Sequence, residues 1–245
     1  MNANREAVAA EELALTQRYQ VLWDEARSAL LQGEPQFDSL LQRGSADDRR
    51  GLTLLLRPDA ATAHSVAALQ AELAEIEPAQ YFYRSEQLHV TVLSLFTATP
   101  AFGPYFARLP RYLDILDRTL AAVAPFTLRF RGVSASPSAV MVAGYPANAT
   151  LVGLRDRLRA GLAAAGLGDD LDRRYHLTTA HMTMLRLRAP LHDAPAFVAA
   201  IERTRARDVG TTVVAELLLV ENDWYMTPGV VKVLRRYPLT SSQPT

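Results

Sequence analysis

Two segments of this chain align without a gap. Gln87-Leu-His-Val-Thr-Val-Leu-Ser-Leu95 lies on Thr179-Ala-His-Met-Thr-Met-Leu-Arg-Leu187, and both read H-x-T-x-L-x-L. Imidazole titrates near neutrality, so a histidine can take or give a proton under mild conditions. Residues two apart on a strand share a face. His89 therefore projects with Thr91 and His181 with Thr183, while Val90, Val92, Met182 and Met184 turn the other way, into a core. If the two segments face one another across a cleft, one neutral imidazole can accept a proton while the other, protonated, donates one. The threonines are suited to donate hydrogen bonds to oxygens on which charge builds up. Such a set fits in-line displacement at a phosphodiester and calls for no metal or other cofactor. A lone His-x-Thr is more often an ordinary pair on a strand; the repetition in one frame carries the argument.

Other residues are secondary candidates. A tyrosine stands six positions before each histidine, Tyr83 and Tyr175, and on an extended strand it shares the histidine's side. Trp224-Tyr225, in the last hairpin loop, offers a platform for a base, although hairpin aromatics also pack across strands. Tyr83, Tyr175 and Tyr225 thus join Thr91 and Thr183 as substrate-binding candidates. His64, on a helix, and His192, in a loop, read as surface residues. His176 follows Arg173, Arg174 and Tyr175 and reads as an exposed basic cluster or as a phosphate contact. A metal site from His176, His181 and His192 is weak, because no H-E-x-x-H or carboxylate-rich frame accompanies them.

The elements that must hold these residues follow from periodicity. Apolar side chains at Val8, Leu15, Leu22 and Ala29, flanked by Tyr19, Ala26 and Leu30, predict an amphipathic helix over 6–31. A polar stretch follows to Arg50. Leu52 to Leu56 predicts a strand and Ala60 to Glu75 a helix; Tyr81 to Phe96 predicts the strand of the first motif. Tyr105 to Ala124 is helical, and Phe126 to Tyr145 reads as two strands about a Ser/Pro turn. The order then recurs: a helix capped by Asn148, a strand over Leu177 to Leu187 with the second motif, and a helix from Pro195 to Arg207. Thr211 to Val220 and Val230 to Tyr237 are expected to pair as a hairpin. The fold class is α+β: two pseudo-symmetric lobes, each with an antiparallel sheet and helices, a cleft between them, and an extra N-terminal helix. Residues 1–50 form the extension and linker, 51–238 the two-lobed domain, and 239–245 a tail. Whether the first helix packs on the body or on a second copy stays open.

The motifs His89-Val-Thr-Val92 and His181-Met-Thr-Met184 resemble the paired H-x-T-x signatures of the two-histidine phosphoesterase superfamily, which includes 2′-5′ RNA ligase-like proteins and cyclic phosphodiesterases. The resemblance implies a bilobal fold of duplicated halves and metal-independent work on 2′,3′-cyclic nucleotides, 2′-5′ linkages or ribose cyclic phosphates. It implies that His89 and His181 are the acid/base pair and Thr91 and Thr183 the phosphate ligands.

Composition narrows the partners. The 245 residues carry no formal net charge, and the arginine pairs are short and scattered, so no stripe exists to grip a long nucleic acid. A small nucleotide or an RNA end is the expected partner. The chain has no cysteine, which removes disulfides, thiolate metal sites and a cysteine nucleophile together. The polar start and the lack of a long apolar run predict no membrane segment and a cytoplasmic protein. The competing reading is a non-catalytic nucleotide-binding or scaffold module using the same cleft. Two groups that titrate near neutrality argue against it, since a pure binding site needs donors only.

Overall fold

The apolar runs become strands of one antiparallel sheet in the computed structural model, which describes residues 2–38, 40–41, 47–169, 171 and 176–240. The elements are α1 (Asn2–Leu31), β1 (Arg50–Leu56), α2 (Ala60–Ile76), β2 (Tyr81–Phe82), β3 (Val90–Thr99), α3 (Gly103–Phe106), α4 (Leu109–Leu120), β4 (Phe126–Ser136), β5 (Ala139–Pro146), α5 (Thr150–Ala164), β6 (Met182–Arg186), α6 (Ala194–Thr204), β7 (Asp208–Val214), β8 (Glu216–Asn222) and β9 (Lys232–Pro238). The strand order is β7-β4-β5-β6-β3-β1-β8-β9, with β2 also on β6. The sheet therefore falls into two halves of like build. In one, β3 pairs β1, which pairs β8; in the other, β6 pairs β5, which pairs β4. Among the described residues the halves meet at the bridge Val90↔Met182. This is the bilobal α+β architecture that the duplicated motifs imply.

Helices cover the sheet crosswise. Asp59 caps α2, its side chain accepting from the Thr62 amide, and Asp193 caps α6 by accepting from the Ala196 amide. The helix of the first repeat, α2, packs on β6 and β7 of the second half, and α5 packs on β3 of the first. Val90, Val92, Met182 and Met184 are fully buried in the core beneath. Each such apolar side chain contributes about 1.5–3 kcal/mol by leaving water.

Helix α1 packs on the body, against β4, β5 and α6. Its buried stripe is Leu15, Tyr19, Trp23, Ala26 and Leu30, at helical spacing. The stripe is turned slightly from the expected one: Leu22 lies on its margin and Trp23 at its centre. No helix of the described residues is long and apolar enough to cross a membrane.

The helix expected over Tyr105 to Ala124 is two, α3 and α4, and three strands also differ from the sequence expectations. The first motif strand is not continuous from Tyr81: it breaks at a 3-10 turn, Ser85–Gln87, where the Gln87 side chain accepts from the Arg84 amide. The second motif strand begins at Met182 rather than Leu177, so both histidines stand one residue before their strands. Thr211 to Val220 is two strands, β7 on β4 and β8 on β1, parted only by Ala215. A one-residue break between strands bound for different neighbours leaves no mark on local periodicity. The expected hairpin survives as β8 with β9.

Candidate active site

The Val90↔Met182 bridge builds the site. The strands are antiparallel, so one step along the pair sets His89 opposite Thr183 and Thr91 opposite His181. Opposed positions in such a pair lie about 4.5–5.5 Å apart at Cα. All four side chains fall on the face opposite Val90 and Met182. Each imidazole thus stands across from the other half's hydroxyl, and the motifs expected to face one another across a cleft are direct sheet neighbours.

The residue two before each histidine holds its ring. His89 Nδ1 lies 2.7 Å from the Gln87 carbonyl oxygen. A carbonyl only accepts, so Nδ1 carries the proton, leaving Nε2 as the group turned to other work. His181 Nδ1 lies 2.7 Å from Thr179 Oγ1, a hydroxyl that can donate or accept. The buried Gln87 side chain donates to Tyr81 Oη at 2.8 Å and to the Tyr225 carbonyl at 2.9 Å, fixing the turn before His89.

Both histidines are partly buried. Desolvation is the main cause pulling each imidazole from 6.5 down to about 4. At His89 the Gln87 carbonyl opposes the shift, while Arg57, His181 and Arg186 add to it. At His181 the cations Arg155 and Arg186 add to it. Both rings are neutral in the free protein near pH 7.

Arg186 is the residue that sequence reasoning missed. A period of two puts it on the buried face with Met182 and Met184. The β5–β6 register, however, steps from Met141↔Thr183 to Val140↔Leu185, a bulge at Met184. The extra residue resets the alternation. Arg186 then shares the face of His181 and Thr183, consistent with its action on both imidazoles. A matching bulge at Val92 lies between Leu55↔Thr91 and Leu54↔Leu93, and it turns Ser94 onto the same face. The signal in the sequence was an arginine among core positions, where an unpaired charge is costly.

Arg186 Nε donates to Tyr83 Oη at 2.8 Å, and its guanidinium sits 5.5 Å from the Trp224 ring centroid. Tyr83 is buried, edge-on to Tyr81 at 5.5 Å, and its hydroxyl steadies the arginine. Tyr225 is likewise buried, its hydroxyl donating to Asp38 Oδ1 at 2.5 Å. Both tyrosines, expected as ligand contacts, are buried and bonded to neighbouring side chains, and the 3-10 turn takes Tyr83 off the motif strand. Trp224 is engaged by Arg49, 5.4 Å from its centroid, as well as by Arg186. Tyr175, with Arg173 and Arg174, lies outside the described residues. His64, His176 and His192 are exposed.

A second arginine, Arg155 of α5, lies beneath the junction with 2% exposure. Its guanidinium donates to the carbonyls of Val92 (2.9 Å) and Thr91 (2.9 Å) in one half, and of Thr178 (3.1 Å) and Thr179 (2.8 Å) in the other. The permanently charged, five-donor fork can satisfy several carbonyls at once. It ties both motif segments together.

Fold and paired motifs place the chain among the two-histidine phosphoesterases. More particularly, it belongs to the 2′-5′ RNA ligase superfamily, whose profile matches residues 57–223. Solved structures share the fold. TT0787 of Thermus thermophilus is 22% identical with a TM-score of 0.58, covering 79% of this chain and 100% of its own. LigT of E. coli in complex with 3′-AMP is 15% identical, TM-score 0.56, covering 78% and 99%. ATU0111 of Agrobacterium tumefaciens is 15% identical, TM-score 0.57, covering 82% and 90%. No curated protein matches the chain.

Proposed function

We propose that this protein hydrolyses a small cyclic or 2′-5′ phosphodiester, a 2′,3′-cyclic nucleotide or a related ribose cyclic phosphate, by acid-base catalysis between His89 and His181. The observation that carries the reading is the junction itself: each histidine position is opposite the other half's threonine, with Arg186 on the same face. The 3′-AMP complex of the LigT neighbour supports a ribonucleotide-sized ligand.

We read the roles from the environments. The carbonyl of Gln87 favours the imidazolium of His89, since it accepts from Nδ1–H in either state and more strongly from the cation. His181 has no such fixed acceptor and feels Arg155 and Arg186. His181 Nε2 therefore takes the proton of a water as its oxygen attacks phosphorus. The bond from phosphorus to one ribose oxygen breaks, and His89 gives that oxygen its Nε2 proton, leaving a phosphomonoester and a free hydroxyl. Thr91, Thr183 and Arg186 stabilise the non-bridging oxygens, where charge grows. The arriving phosphodiester is an anion, and its charge favours the imidazolium that the empty site disfavours.

The test is turnover of a panel of 2′,3′-cyclic nucleotides and a 2′-5′-linked dinucleotide in excess EDTA, with wild type beside His89→Ala and His181→Ala. Activity in wild type that both variants lose supports the reading; activity that survives in either variant overturns the pairing. Silence from wild type, with thermal stabilisation by the same compounds, would favour a binding module.

A further inference from the structure

The β5–β6 ladder stops short of where its register would carry it. Beyond Val142↔Met182 the next opposed positions are Ala143 with His181 and Gly144 with Ala180. The phenol of Tyr19, from the middle of α1, takes the place of ladder bonds there. Its hydroxyl accepts from the amides of Gly144 and Ala180, each at 3.2 Å, and donates to the Gly144 carbonyl at 3.2 Å. The backbones are close at this point: a Cβ on Gly144 would stand 2.1 Å from the Ala180 carbonyl oxygen. The phenol is 3% exposed, edge-on to Tyr145 at 5.7 Å. Burial pushes its pKa well up, so the hydroxyl stays protonated and keeps its donor.

Ala180 is the residue before His181, in a segment outside any strand. Side chains hold that segment instead: Arg159 on the Leu177 carbonyl at 2.9 Å, Arg155 on the Thr178 and Thr179 carbonyls, and Tyr19 on the Ala180 amide. Helix α1 lies before the stretch that matches the family, residues 57–223. We propose that Tyr19 is a positioning residue for His181, so that α1, although outside the family match, sets the place of the second imidazole. The inference rests on the catalytic role proposed for His181.

Tyr19→Phe keeps the ring and removes the hydroxyl's bonds. Misplacing a catalytic group costs rate, so kcat is expected to fall about tenfold while KM changes less than about twofold. By NMR titration the His181 imidazole moves toward its ordinary value as water reaches it, and that of His89 does not. Ser134→Ala is the control: its hydroxyl donates to the Tyr19 carbonyl at 2.9 Å, so its loss loosens α1 without touching the phenol. The control lowers the melting temperature and leaves kcat and both titrations in place. A folded Tyr19→Phe that shows only a lower melting temperature overturns the proposal. Should that variant not fold, hydrogen exchange in the wild type decides: a protected Ala180 amide supports the role of Tyr19, and rapid exchange overturns it. If wild type turns over none of the panel, the proposed reaction fails, while the titration and exchange still judge Tyr19.

Discussion

The two halves of the sheet share a plan and differ in what supports it. Each has a histidine one residue before its strand, a threonine two further on and a bulge at the position after that threonine. In the first half the residue before the histidine is held through its carbonyl, Leu88 O accepting from Arg57 at 2.9 Å, within a turn braced by the Gln87 side chain. In the second it is held through its amide, by a phenol from α1. The bulges turn matching positions onto the site face, but one is Ser94 and the other Arg186. The shared plan supplies the paired imidazoles and hydroxyls, and the differing supports make the site polar in one direction. In the proposed mechanism that asymmetry gives two equivalent-looking histidines different work.

The comparison can be broken at several points. Loss of either imidazole, in His89→Ala or His181→Ala, should lower kcat about 10²- to 10⁴-fold, as expected for a proton-transfer group. An effect in only one of them would leave a single-histidine mechanism. Next in size is the pair Arg186→Ala and Ser94→Ala. The arginine variant should lose about 10²- to 10³-fold in kcat and the serine variant less than about threefold, because only one carries charge to the non-bridging oxygens. Equal losses would mean that the halves are functionally symmetric after all.

Arg155 binds carbonyls of both halves, so Arg155→Met should be felt as stability. Leaving a buried carbonyl without its donor is expected to cost about 1–3 kcal/mol. Denaturant unfolding would show this as a lower midpoint at unchanged slope, and an unshifted midpoint would remove its tie between the halves. The subtlest effect is pH dependence. Both free imidazoles lie at about 4, and the form that the proposed mechanism needs has His89 charged with His181 neutral. That form is scarce at pH 7 and grows as pH falls toward 5, so kcat/KM should rise on acidification, then drop below about 4 as His181 also protonates. The alkaline limb of kcat should lie higher, since bound substrate supplies negative charge. A kcat/KM flat from pH 5 to 8 would argue that the two rings do not act as a pair.

The sequence by itself determined the repeat, the fold class and the four motif residues. A period of two and an identical frame are local signals, and Val90, Val92, Met182 and Met184 obey them by turning into the core. It also marked α1, whose apolar spacing needs only a helix and a surface to lie on. What the tertiary structure decided were matters of register. Whether Arg186 faces the core or the site depends on one inserted residue in a ladder with β5, a strand some forty residues away in the chain. Where Tyr83 and Tyr225 point was likewise decided by folding: a 3-10 turn takes Tyr83 off the motif strand, and the Asp38 carboxylate accepts from the Tyr225 hydroxyl. Tyr19 and Arg155 carry no motif, since they act on backbone groups of residues brought to them by folding. Hydrogen bonds to a main chain can be made by any residue type that reaches it, so they leave no periodic trace in the sequence.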